Sequence, residues 1–341
     1  MKLTKYIGNP ILSPNLANSW ENLVTCNPGV AYDNGTFYML YRAAGDDAEH
    51  VIRLGLATST DGFNFQRVSD KPAFSPSIDG PDSGCIEDPR IVKLDSEFYI
   101  TYAYRAYPPG QYWTFQHDVV RLPVCGADAP AAIARNLGNS ALAVTSDFQT
   151  FHRLGRLTSP LLDDRDVILF PQKIDGQYVM MHRPKEYVGE KYGVQYPSIW
   201  LKFSNDLLCW EDKSSQLLLT GREGSWEEKI GGSTPPILTD KGWLMLYHGV
   251  ARNGHAEYKV GAVLLDPTNP LKVIARTPNP ILEPEFPYET EGFYNHCVFP
   301  TGNVVVDDVL YVYYGGADRY VGVATCNLTE FLKYLTDECH C

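Results

Sequence analysis

Two adjacent carboxylates open the run Glu87-Asp88-Pro89-Arg90-Ile91, and they are the residues best placed to do acid chemistry in this chain. The proline after Asp88 disfavours helical backbone before it, so an extended Asp88 with a fixed side-chain direction is expected. A carboxylic acid held in surroundings that raise its pKa can donate a proton to a leaving oxygen. The competing reading is that Asp88 caps a loop or pairs with Arg90. Other acids gather in similar contexts. Asp163, Asp164 and Asp166 crowd one segment, Trp226-Glu227-Glu228-Lys229 precedes Gly231-Gly232, and Asp318 follows Gly315-Gly316. In a chain of net charge −12, Asp163 and Asp164 are expected to face solvent, and the glycine pairs to let a ligand approach the backbone closely.

The elements that position these groups follow from a repeat. A run of aromatic and aliphatic residues recurs five times: Phe37-Tyr38-Met39-Leu40-Tyr41, Phe98-Tyr99-Ile100-Thr101-Tyr102, Tyr178-Val179-Met180-Met181-His182, Trp243-Leu244-Met245-Leu246-Tyr247 and Leu310-Tyr311-Val312-Tyr313-Tyr314. Upstream of each lies a proline opening another apolar run (Pro28, Pro89, Pro171, Pro235, Pro300). Downstream, a third run ends in an acid or amide followed by a large apolar residue: Asp61 and Phe65, Asp147 and Phe151, Asp206 and Trp210, Asp266 and Leu271, Asn327 and Phe331. Proline-bracketed runs such as 71–76 and 279–284 supply a fourth strand. Five four-stranded units make an all-β, five-bladed β-propeller. The chain 1–341 reads as one catalytic domain with blades at 27–76, 87–160, 166–221, 231–284 and 295–335. The fifth unit lacks its last strand, and the bracket 9–14 is expected to supply it and close the ring, removing an open edge. Helix signals are scarce, the best being 328–335.

In a propeller the start of each first strand meets the end of each second strand at one mouth of the channel. That rule gathers Asn27, Glu87, Asp88, Arg90, Gln172 and Lys173 with Arg42, Arg105, Arg183, His248 and Asp318. Carboxylates, guanidiniums and an imidazole among aromatics suit a neutral polyol together with a charged or proton-transferring partner.

Composition narrows the classes. With 29 basic against 41 acidic residues and no basic run, nucleic acid and anionic membrane are poor partners. The N-terminus lacks the apolar core of a signal peptide and no stretch has transmembrane length, so a cytoplasmic protein is expected. The scattered cysteines read as buried reduced thiols, and Cys339-His340-Cys341 is too compact for a tetrahedral metal site. No Ser-His-Asp spacing, phosphate-binding glycine loop or HExxH motif is present, and the chemistry outlined needs no metal or cofactor.

Six motifs in order, Glu87-Asp88-Pro89-Arg90, Leu169-Phe170-Pro171-Gln172-Lys173, His182-Arg183-Pro184, Trp226-Glu227-Glu228-Lys229-Ile230-Gly231, Tyr247-His248-Gly249-Val250 and Tyr314-Gly315-Gly316-Ala317-Asp318, resemble glycoside hydrolase family 130. The likeness spans about 9–334. It implies a five-bladed propeller cleaving β-linked mannosides with inversion, as a phosphorylase releasing mannose 1-phosphate or, in some branches, as a hydrolase. Asp88 then resembles the general acid. Asn27, Arg42, Arg53 and Asp318 match positions holding the mannosyl unit, with Glu87 beside them. Arg183, Lys229 and His248 resemble the residues around inorganic phosphate, the co-substrate. Gln172 departs from the arginine usual at its position, and a neutral amide offers an anion less than an arginine fork. A hydrolase would instead need a carboxylate base about 6.5 to 9.5 Å from the acid, which Glu227 or Glu228 could supply. The retained cations favour phosphorolysis over hydrolysis, and a non-catalytic carbohydrate-binding propeller ranks below both. The excursion 107–134, with Tyr107, Tyr112, Trp113 and Phe115, either walls the acceptor side or packs on another subunit of a homo-oligomer; 187–196 is a second insertion.

Overall fold

The structure is a computed structural model that describes residues 1–111, 121–210, 213–251 and 256–339. Five antiparallel sheets follow one another along the chain. Their inner strands are Val24–Asp33, Cys85–Leu94, Asp164–Leu169, the pair Lys229–Gly232 and Ile237–Thr239, and Val298–Val306. Each pairs with a second strand: Thr36–Ala44, Glu97–Arg105, Tyr178–Pro184, Gly242–Val250 and Val309–Gly316. The inner strand of blade five packs against that of blade one, so the sheets form a closed ring.

The apolar runs are unbroken because both faces of each blade are covered. Met39 and Tyr41 pack toward Tyr313, Val321 and Val323 of blade five, while their neighbour Leu40 packs toward Phe98 and Ile100 of blade two. Alternate residues of one strand thus serve two interblade cores, and a polar residue on either face would be buried. The recurring acid or amide also has a mechanical role. Asp61, Asp147 and Asp266 each accept two backbone N–H bonds from the next turn, at 2.8 to 3.0 Å, folding the chain between third and fourth strands. Asn327 uses the same chemistry to cap the helix Leu328–Glu338, accepting from Glu330 N at 2.8 Å. That helix buries Phe331, Leu332 and Leu335 against blades four and five.

Ring closure comes from the N-terminus, but its regular strand is Thr4–Lys5, paired with Thr325 and Ala324. The bracket 9–14 adds a single bridge, Leu12 to Val321. Among the described residues no helix is long and apolar enough to cross a membrane.

One polar device recurs inside every blade. Glu21 accepts from Tyr41 Oη at 2.9 Å and Arg67 Nε at 2.8 Å, and Asp82 accepts from Tyr102 Oη at 3.1 Å and Arg153 Nε at 2.7 Å. Glu227 takes Tyr247 Oη and Arg276, the latter at 3.0 Å, while Glu289 takes Tyr314 Oη at 2.8 Å and Lys5 at 2.7 Å. Blade three substitutes His182, whose Nδ1 lies 2.8 Å from Asp164 and Nε2 2.9 Å from Ser215. In four blades a carboxylate thus joins the end of the second strand to the outer strand, and in blade three His182 itself makes both links. A buried carboxylate of this kind has to be paired and hydrogen-bonded.

Two expectations from sequence are corrected here. Asp164 and Asp163 do not face solvent: Asp164 belongs to the blade-three copy of this device, and Asp163 binds Arg165 and Lys185 at 2.9 and 2.8 Å. Of the cysteines, Cys26, Cys85 and Cys297 are buried, but Cys125 and Cys209 are exposed. His340 and Cys341 lie outside the described residues, as do Tyr112, Trp113 and Phe115 of the blade-two excursion.

Candidate active site

Asp88 has φ of +55°, not the extended backbone that its proline suggested. The register of its strand shifts between Glu87 and Arg90, so Asp88-Pro89 forms a bulge. Asn27, at φ +44°, occupies the matching bulge of blade one, and Asp166, at φ +58°, that of blade three. Asn and Asp tolerate the left-handed region, and a bulge there re-aims a side chain out of the ladder. Three blades use the same distortion to turn a short polar side chain into one cavity of about 580 Å³.

On one side of that cavity, Arg42 Nη1 lies 3.2 Å from Asp88 Oδ1, 3.3 Å from Glu87 Oε2 and 3.8 Å from Asp318 Oδ2. Asn27 Nδ2 donates to Asp88 Oδ1 at 2.8 Å and to Asp318 Oδ1 at 3.4 Å. Arg90 does not pair with the Asp88 carboxylate; its Nη1 donates to the Asp88 carbonyl at 2.9 Å, and its Nη2 reaches Asp166 at 3.2 Å. Burial, reinforced by Glu87 and Asp318, raises the Asp88 pKa against the pull of Arg42. Burial would also raise Glu87, but Arg42, Arg105 and Arg165 hold it below the ordinary range.

The other side is cationic. Asp166 Oδ2 accepts from Arg183 Nε at 2.6 Å and lies 3.7 Å from His248 Nε2. Arg183 Nη1 is buried with no partner among the described residues. Lys229 is pushed down to about 7 by burial and by Arg183 and Lys185. Lys185 is lowered to about 8 by Arg165 and burial, and His248 is pushed down to about 3, mainly by burial, so its imidazole is neutral. Seven arginines and lysines line the cavity against five carboxylates, in a protein whose overall charge is −12. The site is locally short of negative charge, which suits an anion. Tyr258, Tyr294, Phe293 and Phe299 add an aromatic wall.

The cavity therefore gathers Asn27, Arg42, Glu87, Asp88, Arg183, Lys229, His248 and Asp318. Six other residues singled out from sequence are not among its lining: Arg90, which reaches Asp166, Lys173, which is exposed over the Tyr178 ring, and Arg53, Gln172, Glu227 and Glu228. Arg53 donates to the Val51 carbonyl at 2.9 Å. Gln172 is exposed beyond the far end of the blade-three inner strand, because Pro171 follows that strand and does not open it. Glu227 is fully buried in the blade-four carboxylate device, and Glu228 accepts from Gly224 N at 3.1 Å beside a separate cleft of about 230 Å³. The glycine pairs make room for protein rather than ligand: a Cβ on Gly315 would lie 1.9 Å from Asn27 Oδ1, and one on Gly231 2.7 Å from Asp166 Oδ2.

Arg165, Lys185, Asp166 and Tyr258 are lining residues whose part in the cavity the sequence reading missed. Their signal was present but displaced. Aligning blade three at Asp166 rather than Pro171 pairs Arg165-Asp166 with Glu87-Asp88, a charge reversal at one position, and the two reversed charges face each other at 3.9 Å.

A family model described as beta-1,4-mannooligosaccharide phosphorylase matches residues 5–120 and 132–337. The chain is 38% identical over 338 residues to a 1,2-β-oligomannan phosphorylase of Thermoanaerobacter sp. (strain X514), covering 97% of this chain and 99% of that one. It is 34% identical to a β-1,2-mannobiose phosphorylase of the same organism, covering 95% and 96%. Among solved structures, the β-1,2-mannobiose phosphorylase of Listeria innocua in complex with β-1,2-mannobiose superposes with a TM-score of 0.77 at 27% identity, covering 99% of this chain and all of that one.

Proposed function

The chain belongs to glycoside hydrolase family 130, and on that footing we propose that its cavity performs phosphorolysis of β-linked mannosides with inversion, releasing mannose 1-phosphate. The observation that carries this reading is the division of one cavity into a buried acid and a cation cluster in which Arg183 Nη1 has no partner among the described residues, with neither candidate base for water in its lining. Asp88 Oδ1 accepts the bonds from Asn27 and Arg42, which leaves Oδ2 to carry and donate the proton. Departure of the protonated oxygen breaks the glycosidic bond while a phosphate oxygen attacks the opposite face of the anomeric carbon. Arg183, Lys229 and Arg165 supply charge-assisted donors to that phosphate, and neutral His248 an N–H. Asp166 orients Arg183 and stays ionised because Arg183 and Arg90 hold it far below the carboxylate range. Asn27, Arg42 and Asp318 are placed to hold the mannosyl hydroxyls.

Hydrolysis would require a carboxylate free to take a proton from water. Glu227 is spent on Tyr247 and Arg276, and Glu228 lies beside the other cleft. The relatives named for β-1,2-linked substrates support β-1,2-mannosides as the substrate class. The test is cleavage of β-1,2- and β-1,4-mannobiose with and without inorganic phosphate. Phosphate-dependent formation of mannose 1-phosphate is expected with the β-1,2 substrate. The Asp88→Asn variant is expected to lose about 10²- to 10⁴-fold in kcat. Cleavage indifferent to phosphate would overturn phosphorolysis, and full activity in Asp88→Asn would overturn the acid assignment.

A further inference from the structure

Three carboxylates share one guanidinium in this cavity: Glu87, Asp88 and Asp318 all lie within 3.8 Å of Arg42 Nη1. One positive charge cannot hold all three ionised, so the proton goes to the carboxylate with the least other support. Glu87 has Arg105 and Arg165 as well, the latter 3.9 Å from its second oxygen. The Asp318 side chain is 23% exposed to solvent. Asp88 has only Arg42, the Asn27 amide and, across its own main chain, Arg90.

We propose that Glu87 is a positioning residue that acts on Asp88 through Arg42: by claiming one side of that guanidinium, it keeps the Asp88 carboxyl carrying its proton. The inference rests on the reading of Asp88 as the acid. Glu87 is only 5% exposed, so its charge is poorly screened. It stands in the same strand directly before the bulge. The remaining groups facing the pair do not take over this role. The thiols of Cys26, Cys85 and Cys297 are pushed up by burial and stay neutral, and Asp163 is committed to Arg165 and Lys185. Arg165 in turn ties Glu87 to the cation cluster, so acid and anion sites are joined through one buried carboxylate.

Removing the charge in Glu87→Gln leaves Arg42 to Asp88, which then ionises at lower pH. The alkaline limb of the kcat/KM profile is expected to move down by about one pH unit or more, and Glu87→Asp, which keeps the charge, to lie closer to wild type. A limb that stays in place while kcat falls at every pH would overturn the proposal in favour of a structural role. Infrared titration reads the same proton without turnover, the Asp88 carboxyl band being assigned by its loss in Asp88→Asn. The band should titrate above the ordinary carboxylate range in wild-type protein and lower in Glu87→Gln. Wild-type Asp88 fully ionised at about pH 4 would refute the idea even if Glu87→Gln does not fold. This readout is independent of whether the enzyme uses phosphate.

Discussion

Phosphate binding should draw a proton onto Lys229, and the structure sets the size of that effect. Burial and the neighbouring Arg183 and Lys185 lower this lysine from 10.5 to about 7. At pH 8.5 roughly 3% of it is charged, since each pKa unit is a factor of ten. A phosphate dianion between Arg183 and Lys229 reverses the cause, because it neutralises the cations that depress the amine, and restores the charged form. Binding at pH 8.5 therefore takes up close to one proton at Lys229. Above pH 7 this one proton lowers the affinity by about tenfold, or about 1.4 kcal/mol, per pH unit. Below pH 6 the amine is already charged and its contribution to uptake vanishes. Lys185, at about 8, adds a smaller uptake over the same range, so the decisive quantity is the difference between two proteins. Calorimetric titration with inorganic phosphate in buffers of different ionisation enthalpy gives the proton count. Wild type should exceed Lys229→Met by nearly one proton at pH 8.5. At pH 6.5 the variant should bind phosphate about 10- to 150-fold more weakly, the worth of a hydrogen bond to a charged group. Equal proton uptake by the two proteins would show that Lys229 does not face the anion.

Two further substitutions separate the catalytic residues from the scaffold. Glu227→Gln leaves Arg276 buried without its counter-charge and should lower stability by about 3 to 5 kcal/mol, read by denaturant unfolding, with kcat of the folded protein nearly unchanged. A drop of 10²-fold or more in kcat at unaltered stability would return Glu227 to the role of base. Gln172→Arg should leave KM for phosphate within about twofold, because the side chain is exposed outside the cavity and a surface charge that far from the anion is screened by solvent. A clear gain in phosphate affinity would mean that the 172 side chain reaches the site.

Much of this was legible in the sequence, for reasons specific to repeats. A strand that buries both faces has to be apolar throughout, so the run ending in Tyr41, Tyr102, His182, Tyr247 and Tyr314 could not be disguised. The Asx turns at Asp61, Asp147 and Asp266 need a short acceptor at one position, and the acid recurs there. Asp88 stood out because a proline marks its bulge. Asp166 performs the same turn before Val167, so no proline announces it, and the next proline, Pro171, points to Gln172 rather than to Arg165.

By itself the sequence determined the number of blades and the mouth at which polar residues collect, and it singled out Asp88 as the candidate acid among them, since local patterning dictates strand, turn and bulge. The tertiary structure decided which charges share a partner. Glu227 and Asp88 are equally acidic in the sequence, yet Glu227 is closed by Tyr247 and Arg276 on one oxygen and by Arg222 on the other, while Asp88 takes its bonds from Asn27 and Arg42 on Oδ1 in the cavity. Arg42 comes from blade one, Glu87 from blade two and Arg165 from blade three. Their distances, and hence which carboxylate keeps the proton, arise only when the ring brings separate blades within Coulomb range.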